Sequence, residues 1–218
     1  MKLVVRAAAI VLGSAVAATS ADAGQAAGLA LEVSGTSEPQ IDAYSEIAAG
    51  SEIRLAPGTR LKFVHYGKCE VIVVTGGILK IGLFDVDVAG KVESRQPQEC
   101  PKTIALTGGK QAGGILMRGV MPGHELSVRP SFILTGKRAG AFAAVRILEK
   151  DGGGVLEAPL AGRRLLWPRS RPPLTAGRRY VAVLRPQDAG SEPVRFDFTA
   201  VEPNALRDRE PLVLIRVD

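Results

Sequence analysis

The 218 residues include only two cysteines, two histidines, three methionines and one tryptophan. Side chains that usually supply nucleophiles, bases and soft metal ligands are therefore scarce. His65 and His124 are the only imidazoles, and no serine sits in a Gly-x-Ser-x-Gly elbow. Gly109-Lys110 and Gly136-Lys137 both fail as phosphate-binding loops, because Ile104 and Ser131 stand where the first glycine belongs. Apolar runs are short too. The stretch Ala7 to Ala18 has 12 residues, against roughly 20 for a helix that spans a bilayer. No glycine period or sustained heptad is present, which excludes collagen-like and coiled-coil chains. Disorder is excluded by the opposite abundance, since 46% of positions are hydrophobic.

Lys2 and Arg6 precede the apolar stretch, and Ala21-Asp22-Ala23 places small residues where a signal peptidase reads. Residues 1–23 are expected to be a secretory signal peptide, cleaved after Ala23 and directing the chain to the periplasm. No integral membrane span is expected in the mature chain. Charge divides unevenly after that point. Residues 24–109 carry 8 Lys and Arg against 10 Asp and Glu, whereas residues 110–218 carry 18 against 11. Two units with different surfaces are implied.

Export bears on the cysteines. Cys69 and Cys100 are an even pair in an oxidising compartment, so a disulfide is expected. The alternative, a catalytic or metal-binding thiol pair, matches neither CxxC nor a usual zinc spacing at 31 residues apart.

Short β-type runs follow one another, broken by Gly, Pro and Asp. Glu52–Ala56, Arg60–Tyr66 and Cys69–Thr75 are set apart by Pro57-Gly58 and Gly67-Lys68, then Gly76-Gly77 leads into Ile78–Val88 and Ala89-Gly90 into Lys91–Ser94. These dipeptides read as turns of an antiparallel meander over 24–109. A glycine-rich linker is expected at 110–123. Beyond it, candidate strands lie at Glu125–Arg129, Phe142–Glu149, Val155–Ala158, Arg164–Trp167, Arg179–Leu184, Val194–Val201 and Leu212–Val217. Val194, Phe196, Phe198 and Ala200 share one face, the period-2 mark of a half-buried strand. Leu212–Val217 is apolar on both faces until Arg216, as a central strand is. About seven strands over 124–218 suggest an immunoglobulin-like β-sandwich. The fold class is all-β, a meander domain followed by a sandwich.

The stretch Tyr44 to Phe63, with Gly50-Ser51-Glu52-Ile53-Arg54-Leu55 followed by Pro57-Gly58-Thr59-Arg60-Leu61-Lys62-Phe63, resembles the FecR-type periplasmic β-domain. The resemblance implies an envelope module that relays signals or assembles with other proteins, although no cytoplasmic segment or transmembrane helix of the classical regulators is expected here. The second half, through Leu166-Trp167-Pro168 and Leu174-Thr175-Ala176-Gly177-Arg178-Arg179-Tyr180, is similar to immunoglobulin-like accessory domains of secreted proteobacterial proteins. Neither resemblance supplies a reaction.

The strongest chemical signal is an acid-free stretch. Residues 158–187 hold no Asp or Glu and seven cations, all arginine: Arg163, Arg164, Arg169, Arg171, Arg178, Arg179 and Arg185. A guanidinium fork suits carboxylate and phosphate oxygens and stacks on aromatic rings. Arg163, Arg164, Arg169, Arg171, Arg178 and Arg179, with Trp167 as an apolar anchor, are the expected partner-binding residues. The partner would be an envelope protein or an anionic envelope component, not nucleic acid. Met117, Met121 and His124 form a second, weaker set that suits copper and suggests a periplasmic metal carrier as the alternative. Asp85-Val86-Asp87 reads as a solvated edge rather than a cation site. His65, in phase with Leu61 and Phe63, reads as a satisfied core histidine. The expectation is a non-enzymatic interaction module without a cofactor.

Overall fold

A computed structural model describes residues 24–106, 124–150, 153–203 and 211–218. The chain is all-β, as expected, and no α-helix occurs among the described residues. Its strands run in order as β1 (Ala26–Ser34), β2 (Ser37–Glu38), β3 (Glu46–Ala48), β4 (Ser51–His65), β5 (Glu70–Ile81), β6 (Val86–Pro97), β7 (Lys102–Leu106), β8 (His124–Ser127), β9 (Phe132–Thr135), β10 (Phe142–Glu149), β11 (Gly154–Pro159), β12 (Arg164–Leu165), β13 (Arg179–Pro186), β14 (Val194–Val201) and β15 (Val213–Val217). They form three sheets. The first has the order β3-β1-β4-β5-β6 with β2 on β4, the second β11-β10-β13-β14-β8, and the third β12-β9-β15-β7.

In the first sheet β4, β5 and β6 are consecutive antiparallel neighbours. Three dipeptides expected to be turns are instead bends inside long strands. Pro57-Gly58 falls within β4, Gly76-Gly77 within β5 and Ala89-Gly90 within β6. The register slips at the same level in each pairing, between Leu55 and Arg60 on β4 and between Thr75 and Ile78 on β5. Gly76 and Gly77 have φ of 61° and 87°, a region that side chains rarely tolerate. A Cβ on Gly90 would collide with the Gly76 carbonyl oxygen. The sheet folds over along this glycine line, as strands do at bulges.

Folding over gives the sheet two arms that bury one core. Ile53, Leu55, Leu79 and Ile81 come from one arm, and Leu61, Phe63, Ile72 and Val74 from the other, in a single cluster. The ends opposite the fold line meet. His65 Nε2 lies 3.0 Å from the Gly82 carbonyl oxygen, and the Lys68 backbone N–H donates to His65 Nδ1 at 3.1 Å. Nδ1 is thus the acceptor and Nε2 the donor of a neutral ring, buried completely. His65 has no free nitrogen. The expected strand Ile78–Val88 is broken between these arms by the turn Gly82–Asp85, whose Gly82 N–H donates to the Asp85 carbonyl at 2.9 Å. Asp85 therefore lies in the turn while Asp87 lies on β6, so the two carboxylates do not share a strand face.

The second and third sheets pack face to face. One core cluster joins Ile104, Phe132, Leu134, Leu165, Ile215 and Val217 of the third sheet to Phe142, Ile147, Tyr180, Leu184, Phe196 and Phe198 of the second. Phe132 and Phe196 meet edge-on across the gap, with centroids 6.2 Å apart. β15 is central, parallel to both β9 and β7. Strand β7 departs from the expected division: residues 102–106 fall within the expected first half, 24–109, yet β7 pairs with Val213–Val217. Nothing local signals a parallel partner over a hundred residues away. The expected linker at 110–123 lies outside the described residues.

The outer face of the third sheet is covered by the first. Leu29, Ile133 and Leu214 are buried together, with Leu31, Tyr44, Tyr66 and Leu212 packed against them. Glu46 works across the same boundary, accepting from the Gly136 N–H at 3.3 Å and lying 3.9 Å from Arg216. Burial pushes the Tyr66 phenol up from its ordinary value, with Glu46 adding to the rise and Arg216 opposing it.

The disulfide Cys69–Cys100 is present. It joins the β4–β5 turn to the segment after β6, and two residues later the Lys102 N–H already bonds to the Leu212 carbonyl at 2.9 Å. Replacing both cysteines by serine is expected to lower unfolding free energy by roughly 3–4 kcal/mol, from loop closure alone. Urea denaturation of oxidised wild type and the double variant measures it, and equal midpoints would make the bond incidental.

Candidate functional site

The arginines of the acid-free stretch do not form one patch. The fold sorts them by where each meets the sandwich. Arg163 and Arg164 are half-buried beside β9. Arg163 donates through Nη1 to the Tyr44 carbonyl at 3.4 Å, so it ties the third sheet to the first. The Arg164 Nε is buried without a partner among the described residues. Neither is placed for a partner to seize.

Arg179 begins β13, and with Arg178 just before it lines a shallow hollow with Glu149 and Lys150. Arg178 Nη1 is 3.7 Å from Glu149, an exposed pair that contributes only about 0–1 kcal/mol. Arg185, at the far end of β13, pairs with Glu157 on β11. Both acids lie outside residues 158–187, so the local deficit overstated how unpartnered these cations are. Arg146 and Arg195, which the acid-free stretch did not include, flank Val183 on the two neighbouring strands of the same exposed face.

Arg169 and Arg171 remain. Both are exposed, and neither makes an ion pair among the described residues. They stand on a loop, 166–178, whose backbone is fastened at several points. The Arg171 N–H donates to the Pro168 carbonyl at 3.0 Å, closing a β-turn with Arg169 and Ser170 at its apex. The Trp167 indole Nε1 donates to the Arg171 carbonyl at 3.3 Å. The Leu174 N–H donates to the Val128 carbonyl at 2.8 Å, and the Thr175 N–H to the Tyr180 hydroxyl at 3.0 Å. Pro168, Pro172 and Pro173 restrict the backbone further.

Trp167 is not an exposed anchor. It is 9% exposed and belongs to the sandwich core. Its neighbour takes the outward place: Leu165 is fully buried, Leu166 is 52% exposed and Trp167 is buried again. Nothing in the sequence marks which residue faces out, because Leu165, Leu166 and Trp167 are all apolar and β12 ends at Leu165. Among the described residues the only large apolar side chain more exposed is Phe84, at 76%, in the turn between β5 and β6. The other five phenylalanines are at most 5% exposed. Phe84 carried no periodic signal in the sequence.

Met117 and Met121 of the weaker set lie outside the described residues. His124 is half-buried at the start of β8, opposite Phe198. Among the described residues no three His, Cys, Asp or Glu side chains cluster as a metal site would. No helix there is long and apolar enough to cross a membrane.

No protein-family model matches the chain, and neither curated proteins nor solved structures give a match. The functional reading therefore rests on the residues.

Trp167→Phe keeps an aromatic in the core but removes the donor that holds Arg171. The variant is expected to lose about 1–2 kcal/mol of stability and to be cut faster by trypsin after Arg169. Limited proteolysis and urea denaturation check both. Unchanged cleavage would mean that the indole does not hold the loop.

Proposed function

We propose that this protein is a non-enzymatic interaction module of the cell envelope, exported by residues 1–23 and working in the periplasm. It would present the Arg169–Arg171 turn to an anionic or acidic envelope partner. The supporting observation is that turn: two exposed arginines with no carboxylate paired to them among the described residues, on a loop braced by the buried Trp167. Preorganisation matters because a fixed guanidinium loses little freedom on binding. The remaining arginines of the stretch would act in a secondary way, Arg178 and Arg179 at the loop's end and Arg163 and Arg164 within the fold.

A FecR-like first half and an immunoglobulin-like sandwich fit this role as modules without chemistry of their own. Catalysis has little support, because both His65 nitrogens are committed to the backbone.

Arg169→Glu/Arg171→Glu should reduce co-sedimentation of the mature protein with isolated envelopes by at least about tenfold, since two cationic contacts become repulsive. Thermal stability should hold, because neither side chain supports the core. Undiminished co-sedimentation would remove the turn from the binding surface.

A further inference from the structure

The exposed rim of the loop is amphipathic. Leu166 is 52% exposed at the point where the chain leaves β12. Three to five residues on, Arg169, Ser170 and Arg171 occupy the turn, and Pro172, Pro173 and Thr175 to Arg179 continue as exposed chain. A second turn follows immediately, closed by the Arg178 N–H on the Thr175 carbonyl at 3.3 Å, with Gly177 at φ 78°. The rim thus carries one aliphatic side chain and a row of guanidinium groups, of which Arg178 at its end is paired with Glu149 while Arg169 and Arg171 have no ion pair among the described residues.

Its shape argues against a small soluble anion. Residues 169–173 are all exposed, so the turn is convex and nothing folds around a bound ion. A free phosphate would also leave Leu166 in water. A lipid surface meets both features. Phosphate headgroups face the arginines, and the leucine enters the boundary between headgroups and acyl chains. Trp167 and Leu174 beneath the loop keep that rim facing outward.

We propose that Leu166 and the Arg169–Arg171 turn dock this protein on an anionic lipid surface. The proposal rests on the interaction-module reading above and names its partner. Binding is reversible and salt-sensitive, since each arginine near such a surface contributes about fivefold in partitioning and is screened by ions.

The test is sedimentation of the mature, disulfide-bonded protein with vesicles of phosphatidylcholine mixed with phosphatidylglycerol, beside vesicles of phosphatidylcholine alone. Wild type is expected to bind the anionic vesicles and to leave them at high salt. Arg169→Glu/Arg171→Glu should lose about thirtyfold in binding. Leu166→Ser, which alters no charge, should lose severalfold while keeping the salt response. Inorganic phosphate at matched ionic strength should compete no better than chloride. Binding that ignores both variants, or that phosphate specifically abolishes, overturns the proposal. If the vesicles fail to bind but isolated envelopes still bind through Arg169 and Arg171, the partner is an acidic protein, and only the lipid assignment falls. If neither binds, the interaction-module reading falls with it.

Discussion

Between Cys100 and Lys102 the chain passes from one half of the molecule to the other with almost no slack. Cys100 is bonded to Cys69 in the β4–β5 turn, and Lys102 is already hydrogen-bonded to Leu212. The first strand of the third sheet, β7, thus starts where the folded first sheet ends. Its partner β15 carries Leu214 on the face that meets Leu29 and Tyr66. Covalent tie, strand pairing and apolar contact all act at one boundary. The halves are joined by packing rather than by a tether, and the Arg163 bond to Tyr44 adds to the same joint.

The sandwich is what makes the arginine loop a surface. Trp167, Leu174 and Tyr180 anchor it from below, so the backbone polar groups of an irregular segment are satisfied while its cations face water. The indole contributes by donating to Arg171 rather than by meeting a partner. Arginines that share one stretch of sequence thereby acquire different roles: Arg163 holds the two halves together, Arg178 and Arg185 pair with Glu149 and Glu157, and Arg169 and Arg171 have no ion pair among the described residues.

Local alternation made much of the second half legible. Phe142–Glu149 and Val194–Val201 are strands with the expected bounds, and Leu212–Val217 is central in its sheet, as its apolar faces required. His65 also took the buried, bonded role that its phase with Phe63 suggested. The glycine doublets misled because a Gly-Gly reversal and a Gly-Gly bend share the same local chemistry. Only the pairing decides between them: β5 keeps the same neighbours on both sides of Gly76-Gly77. Strand β9 went unseen because Phe132–Thr135 is four buried residues with no alternation. The acids that pair Arg178 and Arg185 reach them across strands, which a window of 30 residues does not contain.

The Arg169–Arg171 turn is built before any partner arrives. Amide hydrogen exchange of the free mature protein, read at Arg171, Leu174 and Thr175, reports on this. Each of these N–H groups has a partner in the fold, on Pro168, Val128 and Tyr180 respectively. Exchange at all three should be slowed well below the rate of an open chain, while Ser170 at the apex exchanges faster. Free exchange at Arg171, Leu174 and Thr175 alike would contradict the account, because the arginines would then ride on a loose segment with no fixed surface to offer.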